Sequence, residues 1–221
     1  MQDQDTQHMD KGIVDAFHIE WENSRAYEQQ RWLGVPIWKN PFDAFALQDI
    51  IFKVRPDYII ETGTAYGGSA LFFGSILEMI GHGKVLTIDN APKVWPVNDI
   101  AVRIKERRIT AFIDSSVNPD LINLIYGIGE NSMCMVVLDS WHCKDHVLQE
   151  LKLYSKLVPV GSYIIVEDTH VSGHPVEWKW GDGPYEAVQD FLKENDGFEI
   201  DTQYESLGFT NNPSGYLRRI K

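Results

Sequence analysis

Apolar positions along the chain follow two rhythms. Short runs with consecutive apolar residues occur at "YIIE" (58–61), "KVLTID" (84–89), "ITAFI" (109–113), "MCMVVLD" (133–139) and "GSYIIVED" (161–168). Between them lie stretches with apolar residues at helical spacing, "GSALFFGSILEMIG" (68–81) and "HVLQELKLYSKLV" (146–158). Consecutive apolar positions are what a strand needs when helices cover both faces of a parallel sheet. The alternation therefore predicts a Rossmann-like, doubly wound α/β domain. Near the end, "YEAVQDFLKEN" predicts an amphipathic helix, while "GFEIDTQYE" and "SGYLRRIK" predict two strands forming an antiparallel hairpin that closes one edge of the sheet.

Upstream the pattern changes. Residues 1–30 are polar and acidic, with a weak helical rhythm from Ile13 to Tyr27, and are expected to form an N-terminal arm to a domain spanning 31–221. "FDAFALQDIIFKVRP" predicts a helix that Pro56 stops. The aromatic-rich segment before it carries Trp32, Ile37, Trp38 and Phe42, which are expected to pack under the sheet, with a subunit contact and a homo-oligomer as the alternative.

At 221 residues and 43% hydrophobic content, the chain is sized for one such domain. Its net charge of −12 disfavours nucleic acid and anionic membrane surfaces, which select basic proteins. A small molecule or a glycan is the easier substrate. No stretch reaches the ~20 apolar residues of a membrane span. Cys134 and Cys143, one in a strand and one opening a helix, make no disulfide framework. A cytoplasmic location is expected.

Candidate chemistry starts where the first strand ends. "ETGTAYGG" places Glu61, Gly63, Gly67 and Gly68 at the first strand-to-helix turn, the usual ligand contact of a doubly wound sheet. Glycines let the backbone approach a ligand, and the helix start offers unpaired amides. The spacing is not G-x-G-x-x-G, and a carboxylate at the strand tip repels phosphates while accepting from an ammonium or hydroxyl. That favours S-adenosylmethionine over a nicotinamide dinucleotide, which stays the competing ligand. Asp89, ending the second strand, is placed to accept from ribose hydroxyls, and Asp114, Ser115 and Ser116 to border an adenine.

The fourth strand ends at Asp139 and the fifth at Glu167 and Asp168, so three carboxylates are expected to meet at neighbouring strand tips. Desolvated like charges must protonate, pair or bind a cation. Oxygen ligands without clustered Cys or His favour Mg²⁺, with Ca²⁺ or Mn²⁺ as alternatives. Such an ion beside a methyl donor suits O-methylation, by holding a hydroxyl and lowering its pKa. His142, three residues past Asp139, is then the candidate general base. His170 and His174, with Trp178, Trp180 and Tyr185, are expected to form a lid or substrate wall, and Trp95 and Trp141 to lie in loops that select the substrate.

The segments "WLGVPI", "IIETGTAYGGSALFF", "LDSWHCKDHVLQELKLYSKLV", "GSYIIVEDTHVSGHPV", "GPYEAVQDFL" and "NNPSGYLRR", in this order, resemble the cephalosporin hydroxylase / rhamnosyl O-methyltransferase family from about Arg31 to the end. The resemblance implies a class I methyltransferase fold, with S-adenosylmethionine as donor and Mg²⁺ as activating ion. It implies a donor site on Glu61, Gly63, Thr64, Tyr66, Gly67, Gly68, Ser69 and Asp89, and a metal on Asp139, Glu167 and Asp168. Catechol-type O-methyltransferases, with a similar metal arrangement, carry a lysine base where this chain has His142. An iron oxygenase using His142, His170 and Asp139 leaves the Glu61 loop without a role. A non-catalytic binding subunit is the remaining alternative.

Overall fold

Glu61 lies one residue before the end of strand β1 (Tyr58–Thr62), which a computed structural model places at the middle of a seven-stranded sheet; the structure describes residues 9–93, 98–177 and 181–221. The other strands are β2 (Lys84–Asp89), β3 (Ile109–Ile113), β4 (Cys134–Leu138), β5 (Tyr163–Val166), β6 (Phe198–Ile200) and β7 (Tyr216–Arg219). Their order is β3-β2-β1-β4-β5-β7-β6. The first five run parallel, and β7 is antiparallel to both β5 and β6. The fold is thus a doubly wound, mostly parallel α/β sheet. The two C-terminal strands do pair antiparallel, but β7 is inserted between β5 and β6, so β6 alone forms that edge.

Period-two alternation decides which face each strand residue serves. Ile60, Val136 and Ile164 pack under helices α5 (Pro119–Gly129), α6 (Lys144–Tyr154) and α7 (Pro184–Glu194), through Ile125, Leu151 and Val188. Their neighbours Ile59, Met135 and Ile165 pack on the opposite face, under α2 (Pro41–Val54) and α3 (Gly68–Ile80), with Leu47, Ile50 and Phe73. Every residue of β4 and β5 is buried, which explains the unbroken apolar runs. Strand β3 is the exception: it is an edge strand, and Ile113 is exposed. Helix α4 (Asp99–Arg108) joins β2 to β3.

The structure departs from two sequence expectations. The run 197–205 does not continue as a strand past Ile200, because the Asp201 side chain accepts the amide of Gln203 and turns the chain into a short 3₁₀ segment, Thr202–Leu207. The aromatic residues before and at the start of α2 divide. Trp32 packs edge-on to Phe72 and donates its indole N–H to Ser75, and Ile37 is buried, whereas Trp38 and Phe42 stay half-exposed.

Residues 31–36 form a small hairpin, Arg31–Trp32 with Val35–Pro36, that presses on the start of α3. A Cβ on Gly68 would come 2.0 Å from the Pro36 carbonyl oxygen, so glycine is required there for packing. Helix α1 (Lys11–Ser24) lies on the domain through His18, whose Nε2–H donates to the Thr210 carbonyl at 2.7 Å. No helix among the described residues is long and apolar enough to cross a membrane.

Candidate active site

Sheet order reverses between β1 and β4, so their carboxyl ends open a crevice, the position where doubly wound sheets bind ligands. Two hollows meet there along Gly63, Ala65, Asp139 and Ser140. The larger, about 370 Å³, is lined by Asp89, Asp114, Ser115, Ser116, Trp141 and His146. The smaller, about 190 Å³, is lined by Trp38, Lys39, Tyr66, Ser69, His142 and Asp168. A wider groove at Gly129–Met133 and Lys156–Val160 sits at the opposite ends of the strands.

Gly63 sets the distance between the two strand tips. Its φ is +91°, its amide donates to Ile88 at 2.8 Å, and a Cβ would lie 1.9 Å from the Asp139 carbonyl oxygen. The main chain of β4 therefore passes directly against the glycine turn. Gly67, at φ +77°, turns the chain into α3.

Glu61 is completely buried on the α3 side of the sheet. Its Oε2 accepts from the Thr87 hydroxyl at 2.5 Å. With that proton committed, the Thr64 hydroxyl, 2.6 Å from Thr87, is the donor to it. Oε1 has no hydrogen-bond partner. Burial pushes the carboxyl up to about 7, against the nearby Ser69 hydroxyl and the hydrogen bond from Thr87. A buried acceptor without a donor is costly, and a ligand ammonium satisfies it. The residues present therefore fit a donor with an amino group at its amino-acid end.

The strand-end acids divide into fastened and open groups. Asp89 accepts the amides of Ala65 at 2.8 Å and Ala91 at 2.7 Å, which holds the glycine loop while its carboxylate borders the larger hollow. Asp114 is bound by Asn118 and the Ser115 amide. Asp139, His142 and Asp168 bring one ligand atom each within 4.8 Å of one another. His142 Nε2 lies 3.3 Å from Asp168 Oδ2 and 3.9 Å from Asp139 Oδ1. Glu167 is turned the other way: its Oε2 takes the Lys39 ammonium, and its buried Oε1 has no partner. Lys39 also lies 3.6 Å from Asp139 Oδ2.

Burial drives the carboxyls of Asp139 and Glu167 well above the usual range, and Lys39 only partly opposes this. Burial works against the Lys39 charge as well, yet Glu167 and Asp139 hold the ammonium above its ordinary value. One ammonium facing three carboxylates, Glu167, Asp139 and Glu61, leaves an excess of negative charge. The Asp139–Asp168 pair fits a hard divalent cation, whereas Glu167, outside their 4.8 Å group, would have to turn its orphan oxygen toward them to join it.

Several residues that matter carried no sequence signal. Lys39 is the foremost, a lone cation in an aromatic loop. Behind the larger hollow, His146 Nε2 lies 3.1 Å from Ser140 Oγ and 3.3 Å from Ser116 Oγ, and Ser140 donates to the buried Glu150 at 2.8 Å. The spacing of His146 and Glu150, one helical turn apart, was the available hint. Trp141 is largely exposed and lines the larger hollow, beside Asp89, whereas Trp38 and Tyr66, with ring centres 5.5 Å apart, wall the smaller one.

His170 is not part of an open wall. It is buried beneath α1, its Nδ1 hydrogen-bonds the Asn211 carbonyl, and its ring stacks on His18. His174 stacks on Tyr185 and bonds Glu186 at 2.6 Å. Trp95, Trp178 and Trp180 lie outside the described residues.

Known proteins match this chain along nearly its whole length. The family described as Rhamnosyl O-methyltransferase/CmcI matches residues 24–220. A rhamnosyl O-methyltransferase of Mycobacterium tuberculosis (strain H37Rv) is 33% identical over 214 residues, 94% of this chain and 85% of that protein. The Mycobacterium leprae protein of the same name is 32% identical over 212 residues, 94% and 90% of the two chains. Among solved structures, CmcI with Mg and SAM superposes with a TM-score of 0.68 at 18% identity, covering 89% of this chain and 78% of that one. An O-methyltransferase from Bacillus cereus in complex with SAH reaches 0.52 at 15% identity, covering 97% and 93%. The shared fold is that of class I methyltransferases.

Proposed function

The chain belongs to the rhamnosyl O-methyltransferase/CmcI family, and we propose that it transfers a methyl group from S-adenosylmethionine to a sugar hydroxyl with the help of a divalent cation, Mg²⁺ first. One observation supports this most. The buried, unpartnered Glu61 oxygen and the Asp139–His142–Asp168 group flank the close approach of β4 to Gly63, so a donor site and a cation site share one wall.

In this reading the larger hollow takes the adenosine half of the donor, with Asp89 accepting from ribose hydroxyls and Ser115 and Ser116 beside the base. The amino-acid half follows Gly63–Ser69, and Glu61 Oε1 accepts from its ammonium. Asp139 and Asp168 would hold the ion, and Glu167 Oε1 would complete the set once its side chain turns toward them. A bound divalent ion supplies Lewis-acid polarisation of a hydroxyl oxygen. His142, beside Asp168, accepts the hydroxyl proton, and Asp168 steadies the imidazolium that results. Trp38 and Tyr66 offer flat apolar walls to one face of a sugar ring. The relatives' name, rhamnosyl O-methyltransferase, supports a deoxysugar acceptor.

The 4.8 Å cluster favours a second ligand set in which His142 replaces Glu167 at the ion. Calorimetric titration of the full chain with S-adenosylhomocysteine, with and without Mg²⁺, tests the proposal. Donor-product binding in both conditions and methyl transfer to a simple rhamnoside that stops in EDTA are expected. Failure of the folded protein to bind the product removes the donor site, and undiminished transfer in EDTA removes the ion.

A further inference from the structure

Lys39 sits where a divalent ion's charge is needed, and the fold fixes it there. Its side chain is 3% exposed, its ammonium contacts Glu167 Oε2, and Asp139 Oδ2 lies 3.6 Å away. The stem runs past the Phe73 ring, with the nitrogen 5.9 Å from the ring centre. The backbone on either side is immobilised. Pro36 and Ile37 press on the glycine at the start of α3, and the Asn40 side chain caps α2 by accepting the Phe42 amide at 2.9 Å. A lysine that snorkels can leave its partners; this one is almost wholly buried between them. Removing one partner of a buried ion pair strands the other, whereas a second cation in the same place would relieve it.

Resting on the O-methyltransferase reading above, we infer that Lys39 is a resident counter-cation: it keeps Asp139 and Glu167 tolerable in the metal-free protein, positions Glu167 and weakens divalent binding by its own charge. The enzyme thereby stays folded when its ion is absent, and its affinity for the ion is set below what its carboxylates alone would give. An ion placed among the same carboxylates feels the ammonium at short range through poorly screening surroundings. Lys39 is a positioning residue in this scheme and takes no part in bond making.

Thermal unfolding and calorimetric Mg²⁺ titration of the full chain, without donor or acceptor, test it. The wild type is expected to unfold at nearly the same temperature in EDTA and in millimolar Mg²⁺. Lys39→Met should melt on the order of 10 °C lower in EDTA, recover most of that loss in Mg²⁺, and bind Mg²⁺ about tenfold or more tightly than the wild type. Lys39→Arg should resemble the wild type in EDTA, and Lys39→Met combined with Glu167→Gln should regain stability without Mg²⁺. The inference is overturned if Lys39→Met matches the wild type in EDTA, is equally unfolded in both conditions, or binds Mg²⁺ no more tightly. A wild type that binds no divalent ion removes the ion from the proposed function as well; binding that Lys39→Met leaves unchanged removes only the role of Lys39.

Discussion

Asn212 holds Asp168 from behind: its Oδ1 accepts the Asp168 amide at 3.0 Å, and that residue has a φ of +57°. Left-handed backbone at a non-glycine residue persists only when its surroundings enforce it. The enforcing loop is itself tied to α2, since Asp43 accepts the Asn211 amide and the Tyr216 hydroxyl, both at 2.8 Å. Asp168 therefore faces the crevice because of residues more than forty positions later in the chain.

Asn212→Ala should loosen that carboxylate without touching the donor cleft. Outer contacts of this kind are worth about 10–100-fold in metal affinity. Calorimetry is expected to show Mg²⁺ binding weakened at least tenfold, with S-adenosylhomocysteine binding in EDTA within about twofold of wild type. Equal losses in both titrations would make Asn212 a general stabiliser instead.

Glu61→Gln separates donor recognition from stability. The folded carboxyl titrates near 7, above its ordinary value near 4.5, because burial disfavours its charge. Its stabilising contribution is complete below about 4.5 and disappears as pH rises through 7, up to roughly 3 kcal/mol for a shift of this size. The glutamine variant should lack that slope, so its unfolding free energy should gain on the wild type between pH 5 and 8. Donor-product affinity should meanwhile fall about tenfold or more, because an amide oxygen is a weaker acceptor for an ammonium than a carboxylate.

His142→Gln distinguishes base from ligand. General-base removal slows proton transfer by about 10²–10⁴, while an ion held by Asp139, Asp168 and Glu167 does not need the imidazole. The expected result is a loss of turnover in that range with Mg²⁺ affinity within about threefold. A large drop in Mg²⁺ affinity would place His142 among the ligands.

Gly63 and Gly81 share a positive φ, +91° and +76°, but differ in space: a Cβ at Gly81 meets nothing within 4 Å. Gly81→Ala should therefore cost only the backbone term, about 1 kcal/mol. Gly63→Ala must push β1 and β4 apart at the crevice, and should lower the melting temperature by several times as much and abolish donor-product binding. Comparable melting shifts in the two variants would show that the β4 contact at Gly63 gives way easily.

The fold was legible because burial on both faces leaves a mark in sequence. Ile59 and Ile60 are both apolar since one faces α3 and the other α5 and α6, and the same holds along β4 and β5. Acids at strand ends were equally visible, being the polar residues that stop each run. Contacts made from elsewhere in the chain left no periodic mark. Lys39 reaches Glu167 across 128 positions, and Asn212 reaches Asp168 across 44. Each reads locally as an ordinary loop residue. The same blindness affected His170, which reads as a loop histidine near the crevice until α1 is seen to cover it.

That cover is pH-sensitive in a definite direction. His18 is 5% exposed, donates from Nε2 to the Thr210 carbonyl, and has no partner for Nδ1; its ring stacks on His170 and meets the Phe209 ring at a tilt, with centres 4.1 Å apart. Burial, with the Thr210 bond opposing it and His170 adding to it, lowers its pKa to about 4. A histidine lowered in the folded state stabilises fully above its ordinary value near 6.5, and loses that contribution as pH falls toward 4. At pH 5 the loss is roughly 2 kcal/mol. His18→Gln keeps an N–H for Thr210 and cannot titrate. Denaturant unfolding at pH 7.5 and 5 should show the wild type losing more stability than the variant by about that amount, together with faster proteolysis within residues 11–24 of the wild type at the lower pH. Parallel losses in the two proteins would mean that a proton on His18 finds an acceptor when α1 is docked, and that the helix stays in place in mild acid.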